Sequence, residues 1–108
     1  MRTMVFVLLG ALAASGRANA ADPMEFAADL GSQLGKATFC GFDRDEFVER
    51  SRRALDAHFK DGTKRSEANH VLVAAAASWG GNGPEGESCE EFRAEYEKSL
   101  QALRDAGF

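Results

Sequence analysis

The segment from Leu30 to Leu55, LGSQLGKATFCGFDRDEFVERSRRAL, contains the end of one helix, a turn and the start of a second. Leu30 and Leu34 stand four apart, and with Phe26 upstream they form the buried stripe of an amphipathic helix. Ala27, Gly31 and Gly35 form a small-residue stripe beside it. In a membrane such a Gly-x-x-x-Gly would suggest helix dimerisation; in a globular chain it lets another helix approach closely, at some loss of helix propensity. Gly41 is expected to end this helix as a left-handed residue. Asp43 and Glu46 then have the spacing of a capping box, and Phe42 and Phe47 that of a hydrophobic staple. Phe47, Ser51, Leu55 and Phe59 line one face of the second helix, with Val48 and His58 at its edges. Glu46–Arg50, Glu49–Arg53 and Asp56–Lys60 place an acid four residues before a base on the other face, worth roughly a few tenths of a kcal/mol each.

Working outward, Asp22, Pro23 and Glu25 give the first helix an N-cap, a proline at its first position and an acid able to reach back. Asp61-Gly62 reads as the stop of the second helix, and a third begins near Thr63 or Ser66. With Ala68, Val71, Leu72, Ala75, Ala76 and Trp79 this third helix is apolar over most of its circumference, so it is expected at the centre. Gly80 to Glu87 contains four glycines and a proline and reads as a flexible loop. Ser88 and Glu91 form a further capping box, and Cys89, Phe92, Tyr96, Leu100 and Leu103 follow at helical spacing. Gly107 is a C-terminal stop with Phe108 able to fold back. The expected fold is all-α, a small antiparallel four-helix bundle.

Before these helices, Met1 to Ala20 has the pattern of a cleaved signal peptide: Arg2, an apolar core from Met4 to Ala14, and the small-residue site Ala18-Asn19-Ala20. That core falls short of the roughly 20 residues a membrane-spanning helix needs. The full chain has 108 residues and a net charge of −4. Loss of the leader removes Arg2 and Arg17 but no acid, leaving 11 basic against 17 acidic residues, a net charge of −6, in a single domain from 21 to 108. This size and charge speak against a multidomain enzyme, a basic nucleic-acid binder and a membrane-spanning protein. The expected location is the periplasm or the extracellular space.

Export makes a disulfide the default for the two cysteines, Cys40 and Cys89. In an up-down-up-down bundle the end of the first helix and the start of the fourth lie together, and the two cysteines stand at those places. A loop of about 50 residues closed in this way adds roughly 4 kcal/mol of stability, which is large for a domain whose core alone is marginal.

Chemistry is sparse. His58 and His70 lie on different helices, and with the cysteines their spacing matches no metal motif. Asp43-Arg44-Asp45-Glu46 lacks the glycine of a calcium loop, and the glycine-rich segment lacks the Lys-Ser/Thr of a phosphate loop. Ser51 and His58 share a helix but no orienting acid accompanies them. The expectations are therefore no catalytic residue, no metal ligand and no cofactor. A partner or ligand surface, if present, is expected around Trp79, His58, His70, Glu85 and Glu87.

Leu30 to Leu55, Ser88-Cys89-Glu90-Glu91-Phe92 and the terminal Gly107-Phe108 together resemble small exported two-cysteine helical proteins of alphaproteobacteria. That resemblance implies a disulfide-linked helical domain and brings no catalytic residue. In size, export signal and cysteine separation the chain is also similar to the HdeA-type periplasmic acid-stress chaperones, although its Cys-acid-acid-Phe segment lies at the second cysteine. Three functional expectations follow. The first is a non-enzymatic envelope or protein-binding domain, monomeric or weakly dimeric, with another periplasmic protein as partner. The second is an acid-activated chaperone of the HdeA type, and the third a carrier of a small ligand or metal.

Overall fold

A computed structural model describes residues 23–108. The expected signal peptide and the expected Asp22 cap lie outside the described residues. Four helices follow one another: α1 (Pro23–Cys40), α2 (Asp45–His58), α3 (Gly62–Asn82) and α4 (Cys89–Asp105), and the described residues contain no strand. They form an all-α bundle stapled by one disulfide, Cys40–Cys89, whose Cα atoms are 5.6 Å apart.

Local chemistry accounts for most boundaries. The Gly41 amide donates to the Thr38 carbonyl and the Phe42 amide to that of Ala37, with Gly41 at φ 75°. This paired closure needs a left-handed residue, which glycine adopts without steric penalty. The end of α4 repeats it: Gly107 donates to Arg104, and Phe108 to Leu103. At the start of α4 both halves of the Ser88–Glu91 capping box are formed. Pro23 is the first residue of α1, as its missing N–H favours.

Elsewhere tertiary contacts displace the local pattern. The Asp43–Glu46 box is absent: Arg44 is the N-cap of α2 and offers no side-chain bond. The Asp43 carboxylate instead accepts from the Asp45 amide, and the Glu46 carboxylate is taken by Arg104 and Arg50. Phe42 and Phe47 meet through Tyr96, whose ring centroid is 5.7 Å from the first and 5.0 Å from the second. The Tyr96 hydroxyl donates to the Asp43 carbonyl, fixing the α1–α2 turn to α4. Asp56 pairs with Arg65 rather than with Lys60, across the α2–α3 turn.

Asp61-Gly62 is a start, not a stop, because Asp61 caps α3 by accepting from the Thr63 and Lys64 amides. The helix also continues through Gly80, Gly81 and Asn82, shortening the expected loop, and is capped at Gly83. Nor is α3 central. It packs densely against α1 and more sparsely against α2; Ala68 is its only fully buried apolar side chain, and Val73 is 63% exposed. The cause is the small stripe of α1. An added Cβ on Gly31 would strike the Leu72 carbonyl, and one on Gly35 would stand 2.5 Å from that of Ala76. Thus α1 and α3, which run in the same direction, are pressed backbone to backbone along one face, and the opposite face of α3 is left to solvent. The core lies on the other side of α1, where Leu30 and Leu34 join Phe47, Leu55, Phe92, Tyr96, Leu100 and Leu103.

Candidate functional site

Because α1 leans on α3, it parts from α4 away from the disulfide. The gap is an open cleft of about 590 Å³. One wall is the α1 face carrying Phe26, Asp29, Leu30, Gln33 and Lys36. The other is the C-terminal half of α4 with its cap residue, where Ser99, Ala102 and Ala106 are too small to close the space. Phe47 and Leu103 contribute buried apolar surface, and His58 and Phe108 line the cleft as well. The volume falls within the range of small-molecule sites.

Phe108 is held on three sides. The glycine turn folds it back, its main-chain oxygen accepts from Arg50 at 2.7 Å and from Arg53 at 3.4 Å, and its ring centroid is 6.2 Å from that of His58. His58 stacks on Phe26 at 4.5 Å, and its Nδ1–H donates to the Ala54 carbonyl, since a carbonyl can only accept. One terminal aromatic and one histidine are therefore positioned by the end of α4 and the last turn of α2.

The polar groups of the α1 wall are unevenly satisfied. Gln33 Oε1 is buried and has no hydrogen-bond partner. Asp29 is exposed at the edge of the cleft, and partial loss of hydration there moves its carboxyl above its ordinary value, with repulsion from Glu25 in the same sense and attraction from Lys36 opposing it. Lys36 itself reaches out of the cleft: its Nζ lies 4.6 Å from the Trp79 ring centre and 5.6 Å from that of Phe92, distances suited to cation–π attraction.

No family model, curated protein or solved structure matches this chain.

Of the five surface residues expected from the sequence, His58 alone lines the cleft. Trp79 is half-buried beneath Lys36. His70 is exposed on α3, Glu85 is exposed in the α3–α4 loop, and Glu87 is half-buried there. Glu87 shares a hydrogen bond with Glu95, and this contact, with their mutual repulsion, raises the Glu87 carboxyl above its ordinary value. Among the described residues no group of three His, Cys, Asp or Glu side chains is placed to hold a metal ion. Asp29, Gln33 and Lys36 escaped the sequence reading, although their spacing of four and three puts them on one side of α1 beside Phe26 and Leu30. A polar row flanking an apolar stripe was the available signal.

Proposed function

We propose that this chain is a non-enzymatic, exported helical binding domain that holds a small amphipathic molecule in the cleft between α1 and α4. The observation that carries this reading is an open space of about 590 Å³ lined by Phe26, Ala102, Ala106 and Phe108 above the buried Leu30, Phe47 and Leu103, with polar side chains on both walls. Apolar surface combined with polar groups able to orient a ligand suits a small-molecule site. Export is supported by the Cys40–Cys89 bond and by the lack, among the described residues, of a helix long and apolar enough to cross a membrane. Titration with the neutral dye Nile red tests the reading. A one-to-one rise in fluorescence is expected, abolished in Ala102→Trp, which fills the cleft. No fluorescence rise, or a rise unaffected by that substitution, would refute it.

A protein partner remains the second reading, and a different surface favours it. The exposed side of α3 carries Val73, Ala74 and Ala77, and no Lys, Arg, Asp or Glu occurs from Ala68 to Pro84. The acid-chaperone reading draws its support from the 17 acidic residues alone, whose protonation would leave the chain strongly positive.

A further inference from the structure

His58 is exposed and lines the cleft. Two neighbours fix its ring: Nδ1–H donates to the Ala54 carbonyl at 3.0 Å, and Phe26 stacks on it at 4.5 Å. With the proton on Nδ1, Nε2 carries a lone pair, and nothing among the described residues donates to it. A histidine with one ring nitrogen tied to a backbone carbonyl and the other free is oriented as metal-binding histidines are. The charged groups of the cleft do not select a ligand by sign, since Asp29 and Lys36 lie on the same α1 wall with opposite charges. Leu30, Phe47 and Leu103 form a buried floor, so contact with a ligand falls to the half-buried Phe26 and Phe108 and the exposed Ala102 and Ala106. What distinguishes the site is one imidazole in an apolar opening.

A bare metal ion does not suit that opening. Among the described residues no three His, Cys, Asp or Glu side chains are placed to hold one, and both cysteines are taken by the disulfide. A metalloporphyrin brings its own equatorial nitrogens and requires of the protein only an axial donor and apolar walls. Resting on the cleft's proposed role as a small-ligand site, we infer that its ligand is an iron porphyrin with His58 Nε2 as the axial donor. The Nε2 lone pair replaces an axial water on the iron, with no change of oxidation state. An axial imidazole stands perpendicular to the porphyrin plane, so Phe26, inclined at 30° to His58, meets that plane by its edge, an arrangement aromatic systems favour. The open side of the cleft leaves the porphyrin carboxylates in water.

The test titrates the oxidised protein at neutral pH with haemin and with metal-free protoporphyrin IX, which has the same ring and carboxylates but no axial position. Haemin is expected to bind at least tenfold more tightly, with the Soret shift of an imidazole-ligated iron. His58→Ala should reduce haemin to the affinity of the metal-free ring and leave that ring's binding unchanged, and added imidazole should restore the Soret shift. His70→Ala, on the exposed side of α3, should alter neither. Equal affinity for the two porphyrins, or a preference for haemin that survives His58→Ala, overturns the inference. Loss of both porphyrins in a His58→Ala variant that keeps wild-type circular dichroism also overturns it, by giving His58 a packing role. If neither porphyrin binds but Nile red does, the inference fails and the small-ligand reading stands; if none of the three binds, both fail.

Discussion

Glu46 and Arg104, 58 residues apart, form a two-bond ion pair: Nε reaches Oε2 and Nη2 reaches Oε1, both at 2.7 Å. The same carboxylate receives Arg50 at 2.8 Å, and Arg50 extends to the Phe108 main-chain oxygen. One acid thus joins the start of α2, the end of α4 and the terminal turn that lines the cleft.

The pair has a defined pH signature. Hydrogen bonds from Arg104 and then Arg50 lower the Glu46 carboxyl from 4.5 to about 2. A depressed folded-state value means the stabilisation is fully present above the ordinary carboxyl range and is lost as pH falls through the folded value. Glu46→Gln should therefore melt below the wild type, with the gap widest above about pH 5, narrowing between 4.5 and 2, and closing below that. Because the group is exposed, 1 M salt should also narrow the gap. Melting curves at pH 7, 4 and 2 check this; an undiminished gap at pH 2 would contradict it.

The disulfide is expected to dominate stability. Its cysteines are 49 residues apart, so it restricts the unfolded chain strongly, contributing about 4 kcal/mol. The paired substitution Cys40→Ser with Cys89→Ser should lower Tm by on the order of 20 °C for a domain of this size. Calorimetry of the oxidised and the substituted proteins decides the point. A difference of only a few degrees would mean that helix packing alone carries the fold.

These two links differ in how visible they were in the sequence. Cys40 and Cys89 could be paired because the helix order alone brings the end of α1 to the start of α4. The turns at Gly41 and Gly107 and the Ser88–Glu91 box were legible for a similar reason: each is made by residues within five positions of one another. The Asp43–Glu46 box was spaced equally well, yet a distant arginine outcompeted the local amide for the Glu46 carboxylate. The third helix was misplaced because its alanines look buried from any direction, whereas Gly31 and Gly35 admit only one of its faces. The cleft is a gap between helices, so its walls were legible as helix faces but their separation was not.

Two helical glycines, Gly35 inside the α1–α3 contact and Gly81 outside it, should respond in opposite directions. Gly35→Ala places a Cβ 2.5 Å from the Ala76 carbonyl oxygen and 2.8 Å from the Gly80 amide nitrogen, so backbone must move. A loss of about 1–3 kcal/mol is expected from such overpacking. Gly81→Ala, in the last turn of α3, meets nothing within 4 Å and should gain about 0.5–1 kcal/mol from helix propensity. Urea denaturation of both variants measures this. Destabilisation by both would show that the last turn of α3 needs its glycine for a reason other than space.

Ser51 presents the opposite defect, a polar atom where the helix face is otherwise apolar. It is 1% exposed among the core side chains, and its hydroxyl has no hydrogen-bond partner. Leaving a buried hydroxyl unpaired costs about 1–3 kcal/mol. Ser51→Ala removes that term and restores a better helix former. Against it stands the loss of one oxygen's volume beside a small cavity of about 200 Å³ that Leu34, Val48 and Leu72 also line. Such a small deletion at the edge of existing free space loses few contacts, so the polar term should win. Ser51→Ala is expected to raise stability by about 1 kcal/mol in urea denaturation, with an unchanged m-value. If the variant is instead less stable by a similar amount, a water held in that cavity is satisfying the hydroxyl, and Ser51 belongs to the structure as its anchor.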